Sequence, residues 1–213
     1  GLPETGAPLP GRVEMKAEGG ITQQDFPGPQ SVVIFTQGGM RFDHPDYFAA
    51  TLLNEILGGG RFNARLMREV REKRGLSYGI GTSLSSYDQA ELMTGRFEAS
   101  NENVAEAIRV IQDEWAKVAA EGVSDQELAD AKTYMTGAYP LRFDGNDTIA
   151  AILVGMQDMG LSRDYPKTRN ARVEAVTMAD IRRVAASFLT PDKLHFTVVG
   201  SPLGVVSTPP PNQ

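Results

Sequence analysis

The 213-residue sequence contains no cysteine and only two histidines, His44 and His195. The first absence excludes disulfides, zinc ribbons and thiol catalysis together. It says little about compartment, because a domain of this length builds a core without cross-links. The shortage of histidine excludes the common catalytic zinc sets, since neither residue has a second histidine or a carboxylate at the spacing of H-E-x-x-H or H-x-x-E-H. His44 reads as part of a helix start and His195 as part of the last strand, so both read as structural. No apolar run approaches the ~20 residues needed to cross a bilayer. Basic charge is also short: 21 Lys and Arg stand against 27 Asp and Glu, for a net charge of -6, which argues against binding a phosphate backbone. There is no G-x-S-x-G elbow, and Gly58-Gly59-Gly60 is not followed by the G-K-[ST] of a phosphate loop.

What is present begins with a linker. Residues 1–11, GLPETGAPLPG, are rich in Gly and Pro and read as a lead-in from something longer. Arg12 to Glu18 alternates as a strand that Gly19 and Gly20 break. Gln30 to Thr36, with Val32, Val33, Ile34 and Phe35 in succession, reads as a strand buried on both faces or in the middle of a sheet. Asp43-His44-Pro45 opens a largely buried helix, which stops at the three glycines. From about Arg61 to Lys73 a second helix lays Phe62, Leu66 and Val70, with Met67 beside them, along a core stripe. Its other face carries Arg61, Arg65, Arg68 and Glu72 as solvated charge, with Arg68 and Glu72 spaced to pair. Ser77 to Ser86 and Ala90 to Ala99 read as antiparallel strands joined around Tyr87-Asp88-Gln89.

Helices dominate the second half. Glu102 to Ala120, capped by Ser100 or Asn101, places Val104, Ile108, Ile111, Trp115 and Val118 on one face. Ser124 with Glu127, and Thr177 with Asp180, are capping boxes that open two further helices. Asn146 to Gly160 reads as an apolar helix and Tyr165 to Val176 as a short helix or turn. Leu194 to Val199 is the final strand, and residues 201–213 have little reason to fold. The pattern predicts an α+β domain over residues 12–200, a two-layer α/β sandwich in which helices pack on one face of a mainly antiparallel sheet.

The wording LGGGRFNARLMREVREKRGLSYGIGT from Leu57 onward resembles the second, non-zinc domain of the pitrilysin-like metallopeptidases, the group that includes insulin-degrading enzyme and mitochondrial processing peptidase. The resemblance continues through the strand pair to Glu98, through ELADAK in the Ser124 helix, and through TMADIRRVAASFLTPDKLHFTVVG. In that family two similar domains, on one chain or two subunits, close around a peptide. One carries zinc on H-x-x-E-H, and the other contributes an Arg and a Tyr that face the metal. The resemblance therefore implies that Arg71 and Tyr78 serve as catalytic and substrate-binding residues. It also implies that this chain binds no metal, that zinc sits on a homologous partner domain or subunit, and that the substrate is a peptide. Export to the periplasm or beyond is implied by bacterial relatives, with the cytoplasm as the alternative.

The residue types suit that work. Peptide hydrolysis develops negative charge on the carbonyl oxygen, which a Tyr hydroxyl can stabilise, and an Arg fork can grip a carbonyl. On the residues alone, Arg71 also reads as solvated helix charge and Tyr78 as a strand aromatic. Two rivals stay open: a binding or assembly protein of the same fold without catalysis, and an enzyme complete in itself, which the histidine count disfavours.

Overall fold

The computed structural model describes residues 6, 8, 10–16 and 18–208. Five strands, β1 (Gly20–Asp25), β2 (Gln30–Gly38), β3 (Ile80–Ser86), β4 (Glu91–Ser100) and β5 (His195–Gly200), form one sheet in the order β1-β5-β2-β4-β3. The β2–β4, β2–β5 and β3–β4 pairs are antiparallel and β1–β5 is parallel. Alternation sets the faces: β2 buries Ser31, Val33, Phe35 and Gln37, while Ile34 points outward and is exposed. Six α-helices, α1 (Tyr47–Gly58), α2 (Val104–Glu121), α3 (Asp125–Ala138), α4 (Asn146–Asp158), α5 (Tyr165–Ala175) and α6 (Met178–Phe188), supply the second layer. The sandwich expected from the sequence is therefore the one observed, and no helix among the described residues is long and apolar enough to cross a membrane.

Phe35 is the hub of the core. It is fully buried and meets Trp115 of α2 edge-on at 5.9 Å and Phe196 of β5 at 5.5 Å between ring centroids. Beside it lies a buried amide: Gln37 Oε1 accepts from Trp115 Nε1 at 2.7 Å and from the Thr190 amide, while Nε2 donates to Phe188 O at 2.9 Å. One side chain thus joins the sheet to α2 and to the end of α6, and its main polar atoms are satisfied, as burial demands.

Several elements differ from their sequence reading. None of the described residues between Arg12 and Glu18 is in a strand; the edge strand is β1, beginning at Gly20, where a break was expected. The reason is non-local: β1 draws its hydrogen bonds from β5, and its outer edge is covered by the chain end. Thr208 N donates to Ile21 O at 2.8 Å and Gln23 N donates to Ser207 Oγ at 2.8 Å. The segment expected to be a free tail is therefore placed as far as Thr208, with Val205 buried, and the rest of it, like most of the expected linker, lies outside the described residues. Helix α1 starts at Tyr47, because the Asp43 carboxylate accepts from Arg41 at 2.7 and 2.6 Å and does not cap amides. Neither Ser100 nor Asn101 caps α2; Asn101 instead bonds Ser31 and the Gly28 carbonyl. Both capping boxes, at Ser124 and Thr177, are present as read.

Gly95 stands opposite Phe35 in the β2–β4 register, and a Cβ placed there would lie 2.0 Å from Phe35 Cζ. With Phe35 fixed by three other aromatic rings, Gly95→Ala is expected to cost about 2–3 kcal/mol by overpacking. A urea titration checks this through a lowered midpoint at unchanged slope.

Candidate active-site half

The segment between α1 and β3 is built differently from an ordinary helix. After Gly60, at φ +84°, the chain turns through Arg61–Ala64, becomes helical at Arg65, and runs as a π-helix over Met67–Glu72. The Lys73 amide reaches the Arg68 carbonyl at 3.0 Å, five residues back. Such wide turns are rare and concentrate at functional sites. Leu66 and Val70 are fully buried, as the core stripe requires, but Phe62 lies on the preceding turn and is 65 % exposed. Gly75, at φ +64°, ends the helix: its amide donates to Arg71 O at 2.9 Å, and the Leu76 amide donates to Val70 O at 2.9 Å. Glycine serves because this left-handed turn costs it nothing sterically.

The charged face is also not what the spacing suggests. Arg65 is buried, with Nε donating to Glu127 Oε1 at 2.7 Å, Nη2 to Oε2 at 2.8 Å, and Glu114 nearby at 3.9 Å. Glu69, buried as well, accepts from Lys73 at 2.6 Å and from Arg74 at 2.8 Å. Arg68 lies 3.6 Å from Glu69, in place of the expected pairing with Glu72, because a buried carboxylate draws in the cations around it. Burial pushes the Glu69 and Glu127 carboxyls up, but the hydrogen bonds from Lys73 and Arg74, and from Arg65 and the Ser124 amide, outweigh it and hold both at about 2.

These contacts leave Arg71 as the guanidinium of this stretch that has no carboxylate partner among the described residues. Its Cζ instead lies 4.8 Å from the centroid of the Phe62 ring and 5.3 Å from that of Tyr78, within cation–π range. The two residues singled out from sequence are thus brought together, and Phe62, read as core, joins them. The clue to Phe62 was available: the glycine turn before it keeps it out of the helical register that the stripe assumes. Tyr78 is 91 % exposed although its neighbours Leu76, Ser77 and Ile80 are buried. Ser77 Oγ donates at 2.7 Å to Glu98 O and lies 2.8 Å from Gly79 O, which fixes the backbone on either side of the exposed ring. Tyr78 borders a shallow groove with Arg96 and Glu98.

Larger concavities lie elsewhere. One of about 790 Å³ is bordered by Arg12, Arg41, His44 and Asp46, and there Arg12 pairs with Glu91, Arg41 with Asp43 and Asp46 with Arg183. His195 bonds Thr22 Oγ1 at 2.9 Å and the Gly19 carbonyl at 2.7 Å, tying β5 to β1. Among the described residues no three of His, Cys, Asp and Glu converge in the way a catalytic zinc set does. The Arg71 guanidinium and the Tyr78 hydroxyl are both hydrogen-bond donors that an oxygen acceptor could take up, with the Phe62 ring packed beside the guanidinium.

The fold, a five-stranded sheet covered by helices, defines a two-layer α/β domain of the class found in peptidase inactive domains. A family model described as the peptidase M16 inactive domain matches residues 3–135, and the chain belongs to that family. It is 28 % identical over 186 residues to an uncharacterized zinc protease of Streptomyces coelicolor, covering 86 % of this chain and 40 % of that protein. It is 24 % identical over 149 residues to a protein of Helicobacter pylori named a non-peptidase homolog, covering 68 % of this chain and 34 % of that one. The crystal structure of a peptidase M16 inactive domain from Pseudomonas fluorescens superposes with a TM-score of 0.78 at 30 % identity, covering 91 % of this chain and 45 % of that one. The chain thus spans less than half the length of these relatives.

Acid should loosen the charged scaffold. Glu69 and Glu127 ionise more readily folded than unfolded, so the stability they contribute is complete above 4.5 and is lost as pH falls towards about 2. The thermal midpoint is expected to drop across that window, and Glu127→Gln to lower the midpoint at neutral pH while flattening the acid limb, as followed by circular dichroism.

Proposed function

We propose that the chain is the non-zinc half of a zinc-dependent metalloendopeptidase, closing with a homologous zinc-bearing domain or subunit around a peptide. Membership of the M16 inactive-domain family supports the class. The single observation that carries the role of the site is the exposed Tyr78 ring stacked near an Arg71 that has no carboxylate partner among the described residues. A half-buried guanidinium with no carboxylate partner among the described residues, beside an exposed phenol, adds little to folding and is well suited to an incoming carbonyl. Arg71 holds the peptide through its planar N–H groups, and the Tyr78 hydroxyl donates to the carbonyl oxygen as negative charge grows on it. Zinc on the opposite half supplies the Lewis acid and the activated water. The shallow groove at Tyr78 accords with a site whose other wall comes from that half.

The Helicobacter relative favours a second reading, a binding or assembly protein of the same fold. Mixing the chain with its zinc-bearing half and a quenched-fluorescence peptide separates the two. Hydrolysis is expected from the pair and from neither alone. Tyr78→Phe is expected to lower kcat about 10²-fold to 10³-fold, as loss of one donor to a developing oxyanion does. Arg71→Ala is expected to lower kcat/KM with a rise in KM. Full activity of Tyr78→Phe removes its proposed role, and a stable but inactive wild-type pair supports assembly instead.

A further inference from the structure

A guanidinium can be held in place in two ways, and this short segment contains both. Arg65 is held by a carboxylate, which takes up its Nε and Nη2 donors and neutralises its charge. Arg71 is flanked by two rings, at 4.8 and 5.3 Å, and aromatic rings attract the cation through their π-faces without accepting its N–H hydrogens in the way a carboxylate does. We infer that Phe62 is a positioning residue: with Tyr78 it orients Arg71 while leaving its charge and its donors free for a peptide carbonyl. This rests on the reading above, in which Arg71 faces substrate.

Three features of Phe62 point the same way. Its ring is 65 % exposed, so it contributes little to the core that the other stripe residues fill. Its place is set by its neighbours: Arg61 pairs with Glu55 at 2.5 Å and lies 4.4 Å over the Tyr134 ring, while Ala64, two residues on, is buried. The turn is therefore anchored on both sides of a ring that itself points to Arg71. Finally, Arg71 leaves the end of a π-helix on a long flexible stem, whose rotamer entropy would otherwise be lost at the moment of binding. Two rings remove part of that cost beforehand. Tyr78 then has separable tasks, its ring for Arg71 and its hydroxyl for the carbonyl oxygen, whereas Phe62 has only the first.

The test uses the chain with its zinc-bearing half and a quenched-fluorescence peptide. Phe62→Leu, which keeps apolar bulk and removes the ring, is expected to lower kcat/KM about threefold to fivefold, and Phe62→Trp to restore it. In an Arg71→Ala background Phe62→Leu is expected to have no further effect, a non-additivity that a merely structural role would not produce. A loss of equal size in that background, or no loss in the wild-type background, overturns the inference. If Arg71→Ala itself costs nothing, the reading beneath it falls as well; if Arg71→Ala costs activity and Phe62→Leu does not, only the present inference falls. A second readout needs no partner: in the chain alone the Arg71 δ-methylene protons should move downfield in Phe62→Leu as the ring current is lost, and unmoved protons count against the clamp.

Discussion

Arg65 cannot be buried without a counter-charge, and the way it finds one organises the segment around it. Glu127 gives it two carboxylate oxygens, and the same carboxylate accepts from the Ser124 amide at 2.8 Å at the start of α3. One side chain therefore closes a helix cap and locks the helical turn between α1 and β3 against α3. With buried Glu69 gathering Lys73 and Arg74 at the far end, the helical turn is held by half-buried Glu127 before the π-helical stretch and by Glu69 within it. Arg71 emerges from that stretch with its charge free, and the Gly75 turn, followed by buried Leu76 and Ser77, delivers Tyr78 beside it. The Arg71–Tyr78 pair depends on a scaffold whose charges are paired.

Local pattern made much of this domain legible. The period of α2 named its buried face, both capping boxes sit where Ser124 and Thr177 announced them, and β2 lies within the sheet as its β-branched run implied. What escaped reading was non-local. β1 gains its place from β5 and from Ser207 and Thr208, nearly the whole chain away. Arg65 looked solvated because its partner is 62 residues distant. Phe62 looked buried because its spacing assumed an α-helix that starts only after the turn. The π register also altered which charges meet, so Arg68 turns to Glu69 and not to Glu72. Arg71 and Tyr78 were visible through family wording, and spacing alone left each with an ordinary reading.

On the proposed reading the site has the character of a wall, with Arg71 and Tyr78 carried on a base of paired charges and no metal set among the described residues. On the proposed reading, dividing the work in this way lets each half fold around its own constraints. In that division the pairing of acids with arginines serves stability, and the proposed catalysis would be completed only when the halves meet.

The central claim is that Tyr78 touches the peptide. Replacing Tyr78 by the photo-cross-linking amino acid benzoylphenylalanine, assembling the chain with its zinc-bearing half stripped of metal, and irradiating with a labelled peptide tests it directly. The same replacement at Tyr87, exposed on the β3–β4 turn, serves as the control. Label on this chain from position 78 and none from position 87 is the result this account predicts. Equal labelling at both, or none at 78 while the assembled pair binds the peptide, would contradict it.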